Sequence, residues 1–271
     1  RPYSEKTAAE MRAALSGIRC FLLDMDGTFY LGDRIIEGSM EFLQKVEQTG
    51  RSYLFLTNNS SRSVQHYVEK LGRLGLHVGE DKILTSGQAA AQDLKREYPG
   101  KRVFLLGNPS LREEMEKHGI ALEDEHPDLV LVGFDTTLDY AKMTRVCDLV
   151  RAGLPYVATH PDFNCPTETG FAPDIGAIMA FIEASAGRRP DLILGKPYKG
   201  IVEEALNVTG LQKSDLAMVG DRLYTDIAPG VNFGMLSVLV MSGETTEAML
   251  AASDIRPTAV FGRLSDMIPY L

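Results

Sequence analysis

Four short apolar runs in this sequence each end in a polar group able to do chemistry: FLLD (21–24), LFLTNN (54–59), LILGK (192–196) and AMVGD (217–221). Such runs alternate with amphipathic stretches along the whole chain, the βαβα pattern of a mainly parallel sheet covered by helices on both faces. The expected fold class is therefore α/β. Further strands are expected at RVFLLG (102–107), LVLVG (129–133), PYVAT (155–159) and LSVLVM (236–241). Helical spacing marks SMEFLQKVEQTG through Phe42, Leu43 and Val46, and SVQHYVEKLGRLG through Val64, Tyr67, Val68, Leu71 and Leu74. In an open parallel sheet the carboxyl ends of the strands share one edge, where ligands bind, so the four polar strand ends are expected to converge.

About 130 residues separate the second of these ends from the third, with strands and helices of their own, which is too much for a loop. An inserted domain over 85–187 is the economical reading, with the core formed by 1–84 and 188–271. The chain has 271 residues, 44% hydrophobic and 24% charged, enough for one large or two modest cores. A net charge of −9 argues against a nucleic-acid or anionic-membrane surface, which needs clustered Lys and Arg, and favours a small-molecule partner. Cys20, Cys147 and Cys165 form no CxxC pair, and no apolar run approaches the ~20 residues of a membrane helix. A cytoplasmic location is the expectation.

Asp24 and Asp26 stand two apart, so in extended chain both carboxylates face the same way at a strand end. Like charges that close do not both ionise cheaply: a divalent cation compensates them, or one keeps its proton. Gly27 permits a tight turn and Thr28 offers a hydroxyl. Alone, DxD reads as a turn or solvated loop. Asp221 follows another strand and suits a Mg²⁺ ligand, with Asp226 either orienting it from outside or capping a helix. Thr57 and Asn58 lie where a strand leads into a helix, a place suited to phosphate oxygens, while Asn59, Ser60 or Ser61 supplies a simple cap. Lys196, between Gly195 and Pro197, could neutralise a carboxylate nucleophile and the phosphate it attacks. Mg²⁺ and Lys196 supply the positive charge a phosphate dianion needs beside these acids. A proton on Asp26 could pass to the leaving alkoxide, after which the carboxylate could deprotonate water.

DMDGT, LTNN, GKP and GDRLYTDI, in this order, resemble the four signature motifs of the haloacid dehalogenase superfamily of phosphatases. DMDGTFYLGDRIIEG, LTNNSSRS, VGFDTTLDYAK and HPDFNCPTETGF are similar to its NagD-type, or 4-nitrophenylphosphatase-like, subfamily, from about residue 18 onward. The resemblance implies a Rossmann-like core with an inserted C2-type α/β cap domain, Mg²⁺ dependence and an aspartyl-phosphate intermediate. It makes Asp24 nucleophile and metal ligand, and Asp26 the general acid/base whose carbonyl also binds metal. Asp221 completes the metal shell with Asp226 behind it, and Gly27, Thr57, Asn58, Asn59 and Lys196 bind the phosphoryl group. It further implies a small phosphorylated metabolite as substrate and pairing of two copies through the cap. Asp174, in FAPDIGA, stands where relatives often carry Gly. His160, Asp162 and Cys165 have an H-x-D-x-x-C spacing that is a poor zinc set and reads better as a substrate-facing or cap-to-core loop. His66, His77, His118 and His126 read as surface or packing residues.

A phosphotransferase or phosphomutase would use the same two aspartates, and a non-catalytic homologue would bind phospho-ligands only. A receiver domain would leave the insertion unexplained, a dehalogenase would not need Asp26, and a P-type ATPase would need membrane spans.

Overall fold

A computed structural model describes residues 6–167, 169–195 and 199–271. Its strands, in chain order, begin with β1 (Cys20–Leu23), β2 (Tyr30–Leu31), β3 (Arg34–Ile35), β4 (Ser52–Thr57) and β5 (Ile83–Thr85). They continue with β6 (Val103–Leu106), β7 (Leu129–Val132), β8 (Tyr156–Ala158), β9 (Asn164–Thr167), β10 (Gly170–Pro173) and β11 (Leu192–Ile193). The last three are β12 (Leu216–Gly220), β13 (Leu236–Val240) and β14 (Ala259–Phe261). Two compact units result, one of Arg1–Thr57, Val68–Leu84 and Ala205–Leu271, the other of Asn58–Tyr67 and Thr85–Glu204.

The first unit is built on a six-stranded sheet in the order β14-β13-β12-β1-β4-β5. Parallel pairing holds β1 between β12 and β4, with Leu23 level with Val219 on one side and Phe55 on the other. All four β1 residues are buried, as expected of a strand with both faces covered. Phe21 meets Phe42 of the helix Ser39–Gln48 edge-on at 5.6 Å, and Phe29 meets Phe55 at 5.2 Å. From β1 the chain first builds outward through β4 and β5, then crosses to the other side at β12. The strand order thus reverses at β1, and its carboxyl end opens on the crevice where ligands of such sheets bind.

In the second unit a parallel sheet has the order β11-β8-β7-β6. The period of two is legible residue by residue. Val103, Leu105, Leu129, Leu131 and Val157 pack with Leu94, Leu111 and Met115, from the helices Ser86–Glu97 and Pro109–Lys117. Leu106, Val130, Val132, Tyr156 and Ala158 pack with Val146, Val150, Ile178 and Ile182, from Tyr140–Arg151 and Ile175–Ala186. The helix from Ser86 starts there because Thr85 and Gln88 form a reciprocal cap, at 3.1 and 3.0 Å.

Two sequence expectations change. The LILGK run does not end a strand of the sheet holding FLLD, LFLTNN and AMVGD, because Leu192 and Ile193 pair with Val157 and Ala158 in the second unit. Apolar character announces burial but not which sheet supplies it, and a two-residue edge strand has little else to specify a partner. For the same reason the second unit extends past 187 to Glu204, and it also takes in Asn58–Tyr67. Among the described residues no helix is long and apolar enough to cross a membrane.

Leu111 is buried where Gly87, Gly107 and Gly133 leave room, since a Cβ on any of the three would press on its methyl groups. Leu111→Ala is expected to destabilise the second unit by about 2–5 kcal/mol, since glycine backbones cannot move in to fill the hole. An unchanged urea midpoint would contradict this packing.

Candidate active site

The turn after β1 carries the first acids. Asp24 N–H continues the ladder to the Val219 carbonyl at 2.9 Å, and the Met25 carbonyl then accepts from Phe29 N–H at 2.8 Å, closing a tight turn. Met25 sends its side chain into the core, leaving Asp24 partly buried and Asp26 open to solvent. Gly27, at φ +83°, donates to the Tyr30 carbonyl at 2.8 Å, and a Cβ there would collide with the Asp221 carboxylate. Only glycine satisfies both conditions. The buried Thr28 hydroxyl lies 3.5 Å from Asp221 Oδ1.

Asp221, 2% exposed, sits one residue beyond β12. Its Oδ2 accepts from Glu244 N–H at 2.7 Å, and its carbonyl accepts from Thr245 N–H at 3.2 Å and the Thr245 hydroxyl at 2.5 Å. Asp226 is fully buried in the turn that follows, where its Oδ2 accepts from Arg222 N–H at 3.0 Å. Gly220 makes space for it, because any Cβ there would strike the Asp226 side chain.

Asp24, Asp221 and Asp226 each present an oxygen within 4.8 Å of the others. Burial pushes the Asp221 carboxyl well above the ordinary range, Asp24 and Asp226 push it further, and the Glu244 N–H opposes them. Three crowded carboxylates with hard oxygen donors suit a hard divalent cation, so the residues fit Mg²⁺. Asp26 lies outside this trio. Surrounding protein and then the Asp24 charge raise its carboxyl, while the Gly32 N–H, Lys70 and Arg222 draw it down. Lys70 Nζ itself rests 4.1 Å over the Tyr30 ring, and Arg222 Nε pairs with Glu244 at 2.9 Å.

Of the other expected residues, Thr57 is the last of β4, on the carboxyl edge beside β1. Asn58 and Asn59 fall in the second unit. There the Asn58 amide donates to Asp162 at 3.5 Å and its carbonyl accepts from Ser86 Oγ at 2.8 Å. Asn59 Oδ1 accepts from Ser61 N–H at 3.0 Å and Ser61 Oγ at 2.6 Å, an Asx turn. Lys196 lies outside the described residues.

The structure gathers His160 and Asp162 with Asp174 rather than with Cys165. His160, fully buried, shares one proton contact with Asp174 Oδ1 at 2.8 Å and another with Thr159 Oγ1 at 2.9 Å, so both ring nitrogens are engaged. Asp174 also caps the helix from Ile175, accepting its N–H at 2.6 Å. Asp174 thus anchors a buried histidine. His66 and His118 are partly buried and His77 and His126 exposed.

Sequence reasoning passed over Ser242, Gly243, Glu244 and Thr245. The same strand-end argument that singled out Asp24 would have found them, directly after the apolar run LSVLVM.

The strand order of the parallel sheet thus reverses at an acid-bearing strand end, with two more acids from the neighbouring strand's exit. Family models described as haloacid dehalogenase-like hydrolase and HAD-hydrolase-like match residues 21–121 and 193–267. The 5'-nucleotidase YutF of Bacillus subtilis is 34% identical over 93% of this chain and 98% of its own. An acid sugar phosphatase of Staphylococcus aureus is 35% identical, again over 93% and 98%. The chain belongs to the haloacid dehalogenase-like hydrolases and is an enzyme of their phosphatase type. Within them its structural neighbours are 4-nitrophenylphosphatase and NagD proteins. The 4-nitrophenylphosphatase of Thermotoga maritima superimposes with a TM-score of 0.92 at 45% identity, covering 94% of this chain and 98% of that one. NagD of E. coli gives 0.85 at 30%, covering 92% and 98%.

Proposed function

We propose that this enzyme is a Mg²⁺-dependent hydrolase of small phosphomonoesters that works through a phosphoryl group carried on Asp24. The observation that supports it most is the meeting of Asp24, Asp221 and Asp226 at the carboxyl edge of the sheet. Asp24 and Asp221 would hold the cation together with the Asp26 carbonyl, and Asp226 stands close enough to share it. When bound, the cation supplies the charge that lets an anionic phosphate approach three carboxylates.

An Asp24 oxygen attacks phosphorus, forming the acyl phosphate as the P–O bond to the leaving alcohol breaks. Asp26, whose raised pKa favours the protonated form, gives its proton to the departing alkoxide. The resulting carboxylate then takes a proton from the water that attacks the acyl phosphate, releasing inorganic phosphate and restoring Asp24. Thr57 and Asn58 are assigned to phosphoryl oxygens, and Lys196 to the charge on Asp24 and phosphate. The inserted unit is assigned to selection of the leaving alcohol, a nucleoside, sugar or similar small group.

The test is release of inorganic phosphate from an alkyl and an aryl phosphate with Mg²⁺ and no added acceptor. Chelation is expected to abolish it. In Asp26→Asn the first step, release of the alcohol in a single turnover, is expected to slow by about 10²–10⁴-fold for the alkyl ester and much less for the aryl ester, because an aryloxide needs little protonation to leave. Turnover that persists through chelation would remove the metal, equal slowing of alcohol release from both esters would remove the acid role, and a need for an acceptor would favour the phosphotransferase.

A further inference from the structure

The loop that leaves β13 grips both acid-bearing turns at once. Ser242 Oγ donates to the Gly27 carbonyl at 2.8 Å, inside the turn between Asp26 and Thr28. Glu244 N–H and both donors of Thr245 converge on Asp221, the first on its carboxylate and the others on its carbonyl. Between them, Gly243 lets the backbone pass so close that a Cβ would overlap the Asp221 carboxylate. Four donors in four residues are thus spent on two turns that start about 200 residues apart. A loop that only needed to close could have satisfied its hydroxyls with water.

We propose that Ser242 and Thr245 are positioning residues that hold the Gly27 turn and Asp221 in register for the metal ion, an inference that rests on the function proposed above. Neither side chain is asked to touch metal or substrate. Each fixes a main-chain carbonyl: Thr245 that of Asp221, which keeps its carboxylate directed, and Ser242 that of Gly27, next to the Asp26 carbonyl assigned to the cation. Ligand-orienting contacts of this kind are worth about 10–100-fold in metal affinity.

The experiment compares Thr245→Val, Thr245→Ser and Ser242→Ala with the wild type by two readouts: the Mg²⁺ concentration giving half-maximal activity, and the rise in Tm on adding Mg²⁺. Thr245→Val keeps the shape but loses the hydroxyl, and is expected to raise the half-maximal Mg²⁺ concentration about tenfold and shrink the Tm rise. Thr245→Ser restores the donor and should stay within about twofold of wild type on the same scale. Ser242→Ala, a smaller perturbation of folding, is expected to shift both readouts in the same direction and so decides the question if Thr245→Val does not fold. A Thr245→Val protein with lower metal-free Tm but unchanged Mg²⁺ response overturns the proposal, as does a Thr245→Ser protein no better than Val. A wild type indifferent to Mg²⁺ in both readouts overturns the underlying reading instead, and this one with it.

Discussion

Asp24→Asn is expected to cut kcat by at least about 10³-fold on every phosphate ester, the loss typical when a covalent nucleophile is removed. That corresponds to about 4 kcal/mol of barrier. The amide oxygen is neutral and poorly nucleophilic, so no acyl phosphate forms, whatever the leaving group. This separates Asp24 from Asp26, whose loss should spare the first step, alcohol release, for an aryl ester. The fold should survive: Asn has the same shape, the backbone N–H to the Val219 carbonyl is untouched, and β1 ends before the substitution. An unchanged circular-dichroism spectrum with activity lost is the expected pair of measurements. Retention of a tenth of the wild-type rate on either ester would show that another group attacks phosphorus.

Asp221→Asn is expected to move activity and stability in opposite directions. The burial and like charge that raise the Asp221 carboxyl work against its ionised form, so the metal-free native state holds a proton that the unfolded chain has already released. The native state then binds more protons than the unfolded state between the ordinary carboxylate range and the raised value. Across that window the stability of the metal-free protein falls as pH rises. Asn cannot ionise, yet it still offers an oxygen to the Glu244 N–H, so the variant should be more stable than wild type in chelator at pH 7, with a flatter profile above the ordinary carboxylate range. Activity should collapse with the cation site, and the Tm gain on adding Mg²⁺ should shrink. Such a trade is common where function holds like charges together. A variant less stable than wild type at pH 7 in chelator would refute the electrostatic account.

The main architecture was legible because strands buried on both faces must be continuous apolar runs. CFLL, YLFLT and LAMVG could hardly be anything else, and their polar ends marked the edge where Asp24, Thr57 and Asp221 lie. What failed was partner choice: LI at 192–193 is as apolar as its neighbours, and nothing in two residues says that Val157 and Ala158 wait for them. Asp226 was legible as an acid near the site, but its closeness to Asp24 depends on the π-helical turn Leu223–Ile227 and on the missing side chain of Gly220. SGETT also follows a strand end, but the sequence does not show which carbonyls its hydroxyls reach, because hydroxyls and glycine after a strand suit any turn. His160 stood out beside Asp162 and Cys165, but its partner Asp174 lies fourteen residues on and meets it only through the hairpin β9–β10.

The crossover at β1 also sets an order of events during synthesis. Thr28 and Asp221, which meet in the finished enzyme, are separated by 193 residues. β1 can pair with β4 as soon as both are made, but the side destined for β12 stays open until the last third of the chain emerges. Meanwhile the second unit, nearly continuous in sequence from Thr85 to Glu204, has all four strands of its sheet available. Under the function proposed above, a chain stopped before Asp221 would carry Asp24 and the inserted unit but not the cation site.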